Sequence, residues 1–324
     1  MRNGALAFSS WVDRNLFWLT PLMLAAGLVF SKPLLPLVPS IAYLFAYITF
    51  VMGVGCGRDH LKQVFARPLP IVLTLALSHL VAPVAAFGLG CALFGADSPY
   101  TVGLVLFTVI PLGVSSVLWI ELSGGSLALG LAMVLLDSAL SPIVVPGLIR
   151  IFFGAELGFD TIGLMRDLLL MVVVPTALGV VIYERSGGKF KQRAAPVLLP
   201  ISKIFFMLVI LLNAAGIAPY AYELRGDLVS VVPAVLVLVA LGYLLGYYAP
   251  LLLRERTPEL SVTVSFAAGM RNNSLGLVLA LGYFSPQAAV PVVLAILVQQ
   301  PLATLHQFVL RKFKPYPLKE NFHS

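Results

Sequence analysis

A chain of 324 residues that is 60% hydrophobic and 11% charged departs from soluble domains, in which roughly a quarter of residues are charged. A soluble fold of this length could not bury so much apolar surface, so the solvent is lipid. The net charge of +7 falls in loops between apolar segments, which reads as membrane topology and excludes a nucleic-acid partner.

Ten apolar stretches of transmembrane length follow in chain order: 15–31, 37–56, 69–95, 100–122, 126–154, 160–183, 196–218, 228–253, 259–284 and 286–310. The polar start, residues 1–15, lacks the apolar core of a cleavable signal. Arg58-Asp59-His60, Ser186-Gly187-Gly188 and Arg225-Gly226-Asp227 punctuate the segments. Cys56 and Cys91 fall in or near different segments and read as buried free thiols, with no disulfide framework and no metal site. Fifteen Lys and Arg lie on the side holding both termini and three (Lys32, Arg150, Arg225) on the other. That asymmetry predicts a multi-pass protein of the inner (plasma) membrane with both termini cytoplasmic. The chain, 1–324, reads as one transmembrane unit ending in a cytoplasmic tail, 311–324. Its oligomeric state is open.

Segments 2–5 and 7–10 begin 159 or 160 positions apart, and the pairs Pro142/Pro301 and Ser115/Ser274 also differ by 159. Five helices followed by five must leave the two halves oppositely oriented. The expected architecture is therefore all-α with two inverted five-helix repeats, the arrangement that places a transporter's site where the repeats meet.

The fourth helix of each half is interrupted. Segment 4 carries Ile110-Pro111-Leu112-Gly113-Val114-Ser115-Ser116, where Pro111 removes a donor and Gly113 loosens the turn. Segment 9 carries Ala268-Gly269-Met270-Arg271-Asn272-Asn273-Ser274, whose polar run cannot face lipid. A charge at mid-membrane costs ~3 kcal/mol on insertion scales, so Arg271 needs protein or water around it. Asp137, the only acidic residue deep within a predicted span, is its natural partner. Asp137 and His79, with the adjacent Ser138, are also candidate ion-coupling or proton sites. Gln299-Gln300-Pro301 and Ser138-Ala139-Leu140-Ser141-Pro142 place amides and hydroxyls beside prolines. Those groups either serve a site or satisfy carbonyls freed by the prolines.

On the Gly57–Pro68 loop, the two breaks, and Ser141-Pro142, the chain resembles the bile acid:sodium symporter family over nearly its full length. The resemblance implies a panel domain (15–56 and 160–218) and a core domain (69–154 and 228–310). Within the core, broken helices 4 and 9 cross. An organic anion lies between panel and core, and core motion gives alternating access. The implied substrate site is Val114, Ser115, Ser116, Arg271, Asn272, Asn273, Ser274, Gln299 and Gln300. The N-terminal halves of helices 4 and 9 are expected to present dipoles that favour a carboxylate.

Sodium-coupled members of that family use a Glu before the helix 9 break, a Gln within it, an Asn after the helix 4 serine, helix 5 hydroxyls and a helix 3 Gln. Here those positions hold Ala267, Arg271, Val117, Gly130 with Val134, and Ser78, while Ser116 and Asn272 keep a hydroxyl and an amide. The pattern implies that the standard sodium sites are lost and that the Arg271 guanidinium stands in an ion's place. A rebuilt cation site at Ser115, Ser116, Asp137 and Asn273 is the alternative. No cofactor is expected beyond sodium or a proton as coupling ion. The substrate classes are bile acid-like, keto acid or pantoate-like. A non-transporting membrane sensor is the reading from another class; no residue cluster supports an enzyme.

Overall fold

The computed structural model describes residues 2–57, 68–154, 158–220, 228–254 and 257–313. Most of the loop carrying Arg58, His60, Lys62 and Arg67 lies outside the described residues. So do Arg225–Asp227, Arg256, and the tail with Lys314, Lys319 and His323.

Every regular element among the described residues is helical. In chain order they are α1 (Arg2–Val29), α2 (Ile41–Val54), α3 (Pro68–Phe94), α4 (Pro99–Val109), α5 (Ser115–Leu122), α6 (Leu127–Phe153), α7 (Thr161–Arg185), α8 (Lys189–Ile217), α9 (Leu228–Tyr248), α10 (Pro258–Gly269), α11 (Asn273–Tyr283) and α12 (Pro286–Phe313). Among the described residues, seven helices are long and apolar enough to cross a membrane: α3, α6, α7, α8, α12, the stretch Ser31–Val54 containing α2, and Val229–Leu252, which takes in most of α9. Trp18–Val29, α4 and α11 are shorter apolar helices. At 1.5 Å per residue an 11-residue helix such as α4 or α11 reaches only about half the ~30 Å hydrocarbon core.

Two groups of helices pack chiefly among themselves. In one, α1 lies along α8, and α2 packs on both α7 and α8. Gly53 and Gly179 make the α2–α7 contact possible. A side-chain carbon on Gly53 would strike the Thr176 carbonyl, and one on Gly179 the Phe50 carbonyl, so only small residues let these backbones approach. In the other, α9 packs on α10 and α12, α4 on α3 and α12, and α11 on α12. Contacts of α8 with α11 and of α6 with α7 join the groups.

Two sequence expectations are corrected here. Helix α1 begins at Arg2 rather than near residue 15. Its polar first half is held against α8, where Val12 is buried and Asp13 pairs with Lys203 at 2.5 Å. Cys56 is buried as expected, but Cys91 is only half-buried; both are free.

Candidate functional site

Both breaks are built by local sequence. Pro111 pushes the preceding residue out of the helical region, and Ile110 is extended (ψ 151°), which ends α4. Met270 is likewise extended (φ −118°, ψ 124°) and ends α10. The side-chain oxygen of Asn272 then accepts the Leu275 N–H and caps α11. The two extended segments meet as a single antiparallel bridge between Leu112 and Arg271, residues that stand at the same 159-position offset as Pro142 and Pro301. The Gly113 N–H donates to the Met270 carbonyl and the Asn272 N–H to the Pro111 carbonyl, both at 2.9 Å. Gly113 is required at this crossing, because a Cβ there would stand 2.8 Å from the Arg271 carbonyl oxygen.

Each break is held by one side chain from a neighbouring continuous helix. Gln299 of α12 grips the Arg271 backbone from both sides: Oε1 accepts its N–H at 2.8 Å and Nε2 donates to its carbonyl at 3.1 Å. The same Oε1 accepts from Asn273 Nδ2 at 3.0 Å. Gln300 accepts from the Trp119 indole at 2.9 Å. On the other break, Asp137 Oδ2 accepts the Leu112 N–H at 2.6 Å, while Oδ1 meets His79 Nε2 at 2.5 Å.

That arrangement corrects the expected Arg271–Asp137 pair. Asp137 is 1% exposed and lies near enough for its charge to act on Arg271, yet its contacts are His79 and the Leu112 amide. The guanidinium, 4% exposed, turns instead to α3, where Nη2 donates to the Ser78 carbonyl at 3.3 Å. That carbonyl is free for a reason legible in the chain. Leu77–Val81 form a π turn in which the Ala82 N–H reaches Leu77, and the next bond would need an N–H on Pro83. In α6 the carbonyl of Ser138, freed by Pro142, is taken by the Ser141 hydroxyl at 2.8 Å. The Ser138–Ser141 pair of α6 thus answers a proline, whereas Gln299 serves the crossing.

A cavity of about 490 Å³ opens at the crossing. Val114, Ser115, Arg271, Asn272, Asn273, Ser274, Gln299 and Gln300 line it. Ser116 is fully buried beside it, and Asp137, His79 and Ser138 lie outside its wall. Sequence reasoning missed the opposite wall, where Phe45 and Ile48 of α2 and Phe206 and Ile210 of α8 face the crossing with the Asp13–Lys203 pair. No local motif marks these positions. They are ordinary apolar helix residues until α2 and α8 are placed. The dipole expectation is also corrected: α4 and α10 end at the crossing with their C-termini. It is α5 and α11 that begin there, bringing the N–H groups of their first turns to the cavity.

The model of the sodium bile acid symporter family matches residues 41–223. The chain is 33% identical to "Uncharacterized protein YbaS" of Bacillus subtilis (strain 168), across 93% of this chain and 98% of that one. It is 27% identical to "Uncharacterized sodium-dependent transporter YocS" of the same organism, over 75% of this chain and 74% of that one. It is also 27% identical to the rice protein named "Probable sodium/metabolite cotransporter BASS1, chloroplastic", over 89% and 66% of the two chains. With apolar helices that can cross a membrane and a match over more than half its length, the chain belongs to the sodium bile acid symporter family of membrane transporters.

Proposed function

We propose that this protein is a secondary transporter that moves a small organic anion by alternating access, with Arg271 standing in place of a bound cation. The observation that carries the reading is the cavity. Its volume suits a ligand of a few hundred daltons, and it sets the apolar side chains of α2 and α8 against the polar crossing. The apolar body of a bile acid-like, keto acid or pantoate-like anion lies on the α2–α8 wall. Its carboxylate lies at the first turns of α5 and α11, near Arg271.

The self-packing helix groups support a panel of α1, α2, α7 and α8 moving against a core of the remaining helices. Counting α4–α5 and α10–α11 as single broken helices gives ten crossings in two inverted repeats. The Leu112–Arg271 bridge between repeat-equivalent residues favours that count. The basic loops favour cytoplasmic termini for a protein of an inner (plasma) membrane.

Arg271 and Ser78 occupy two positions at which the sodium-coupled pattern has glutamines, and here they bond to each other. Ala267 and Val134, at two further positions, are fully buried and apolar. Hard cations need several oxygen ligands, and this set supplies too few. The printed names of two relatives favour a second reading, sodium:anion symport through a rebuilt site. The buried, unpartnered Ser116 Oγ and Asn273 Oδ1 are oxygens such a site could use.

Thermal unfolding of the detergent-purified protein separates the readings. A ligand that binds only the folded state raises its stability, by ~2.7 kcal/mol at a hundred times its Kd. We expect no sodium-specific rise over choline at equal ionic strength. We expect a rise with at least one of cholate, pyruvate or pantoate, weakened about tenfold in affinity (~1.4 kcal/mol) by Arg271→Gln. A sodium-specific rise that Asp137→Asn abolishes selects the rebuilt site instead.

A further inference from the structure

An ion pair stands in the apolar wall that faces the crossing. We infer that Asp13 and Lys203, with the Ser202 hydroxyl, form a second subsite that receives a hydroxyl at the far end of the transported anion. The ligand is then an elongated monocarboxylate, hydroxylated at the end remote from its carboxylate. This inference rests on the transport reading above and names the substrate class of that same cavity.

The pair is not needed to hold α1 on α8. These helices already approach closely at Gly27, where a Cβ would strike the Leu211 carbonyl oxygen. Two charges taken from water regain little from each other unless their remaining hydrogen bonds are also made, so such a pair is weak evidence for a stabilising role. The Asp13 and Lys203 side chains are 24% and 28% exposed, and both line the cavity together with Ser202 and Thr20. Ser202 is 9% exposed and Thr20 is 4% exposed. Neither hydroxyl has a hydrogen-bond partner among the described residues. Largely buried hydroxyls that face a cavity without partners mark positions where a ligand or water completes the hydrogen bonding.

Length along the helices sets the size of the ligand. Lys203 precedes Asn213 by ten positions on α8, about 15 Å at 1.5 Å per residue, and Asn213 bonds the Ser274 carbonyl in the first turn of α11. Lys203, Phe206 and Ile210 stand at i, i+3 and i+7, so one face of α8 carries the charge, then apolar surface, then the level of the crossing. A carboxylate at the first turns of α5 and α11 is thus roughly 10–15 Å from the pair. A three-carbon keto acid fills the crossing and leaves the pair untouched. A ten-carbon chain spans about 12 Å at ~1.2 Å per bond, the advance of an extended backbone. The chemistry of the far end follows from the pair itself. Lys203 only donates and an ionised Asp13 only accepts, whereas a hydroxyl does both and can bridge them. A methyl end displaces water from the pair and returns no bond, and a second carboxylate meets the like charge of Asp13. A site that bonds a hydroxyl rejects the analogue lacking it because its own polar groups are left unpaired.

The test follows thermal unfolding of the full chain in detergent against three acids of one length: 10-hydroxydecanoate, decanoate and decanedioate. Apparent Kd values come from the rise in Tm with concentration. We expect 10-hydroxydecanoate to bind at least fivefold tighter than either of the others. Asp13→Leu with Lys203→Met removes both charges together and orphans neither. It should cut that preference to within about twofold, while Arg271→Gln weakens all three acids alike. Each ratio is taken within one protein, so a general loss of stability does not move it. Comparing ratios between proteins also cancels partition of the acids into micelles. Equal binding of the three acids, or a preference that survives in the double variant, overturns the subsite. If the double variant does not fold, Lys203→Met and Ser202→Ala are read singly. A ratio cut at least twofold in either supports the subsite, and one unchanged in both overturns it. A rise with none of the three long acids also overturns it. The transport reading then stands if cholate, pyruvate or pantoate still raises Tm, and fails for those classes if none does.

Discussion

Gln299 shows how much of this site depends on a single neutral side chain. Its amide accepts the Arg271 N–H, donates to the Arg271 carbonyl and accepts a third bond from Asn273, on a side chain largely buried at the cavity wall. Gln299→Leu keeps the volume but leaves the Arg271 N–H and carbonyl without partners. Each buried group so orphaned costs about 1–3 kcal/mol. We expect Gln299→Leu to lower stability by about 2–4 kcal/mol, seen as a fall in Tm in detergent. Asp137 plays the corresponding part at the other break, but with a charge that His79 faces. The residue scale thus separates two devices with one purpose. A carboxylate and an amide each pin an unwound segment to a continuous helix.

Among the elements, α3 departs most from a plain membrane helix. Its π turn and Pro83 leave one carbonyl unpaired inside the helix, and Arg271 takes it. Pro83→Ala returns an N–H to that position and offers the Ser78 carbonyl an intrahelical partner. We expect this substitution to hold or raise Tm and to cut anion uptake in proteoliposomes at least threefold. An unchanged uptake would show that the Arg271–Ser78 contact has no part in transport. Helix α7 has a π turn of its own at Leu169–Val173 before Pro175. There the Met171 carbonyl is satisfied at 2.8 Å by the Thr49 hydroxyl of α2. The carbonyl linked to Pro83 therefore receives a charge, whereas the Met171 carbonyl in the π turn of α7 ties that helix to α2.

For the whole molecule, the proposed panel and core meet through few polar contacts. Asn213 of α8 donates to the Ser274 carbonyl of α11 at 3.3 Å, and Gly216 lies against Leu281 nearby. If the core moves against the panel, this contact must slide. In a background with Cys56 and Cys91 replaced by Ser, oxidising a Gly216→Cys, Leu281→Cys pair should stop uptake, and reductant should restore it. Leu281→Cys alone, in the same background and oxidised alike, changes packing without bridging the two bodies. It should slow uptake no more than about threefold.

Composition, hydropathy and the Lys/Arg distribution were enough to determine a multi-pass helical membrane protein, because lipid leaves few ways to satisfy a backbone. The breaks were legible too: proline, glycine and a polar run inside an apolar span have local causes and local effects. The partner of Asp137 was not legible. Sequence paired the one deep acid with Arg271, whereas packing brought His79 to that acid and a proline-freed carbonyl to Arg271. The apolar wall of the cavity was hidden for the same reason. Phe45 and Phe206 are unremarkable in their own helices and face the cavity only because α2 and α8 fold across the crossing. Which side chains touch between distant segments depends on how the helices pack, and a one-dimensional pattern of polarity carries no record of that.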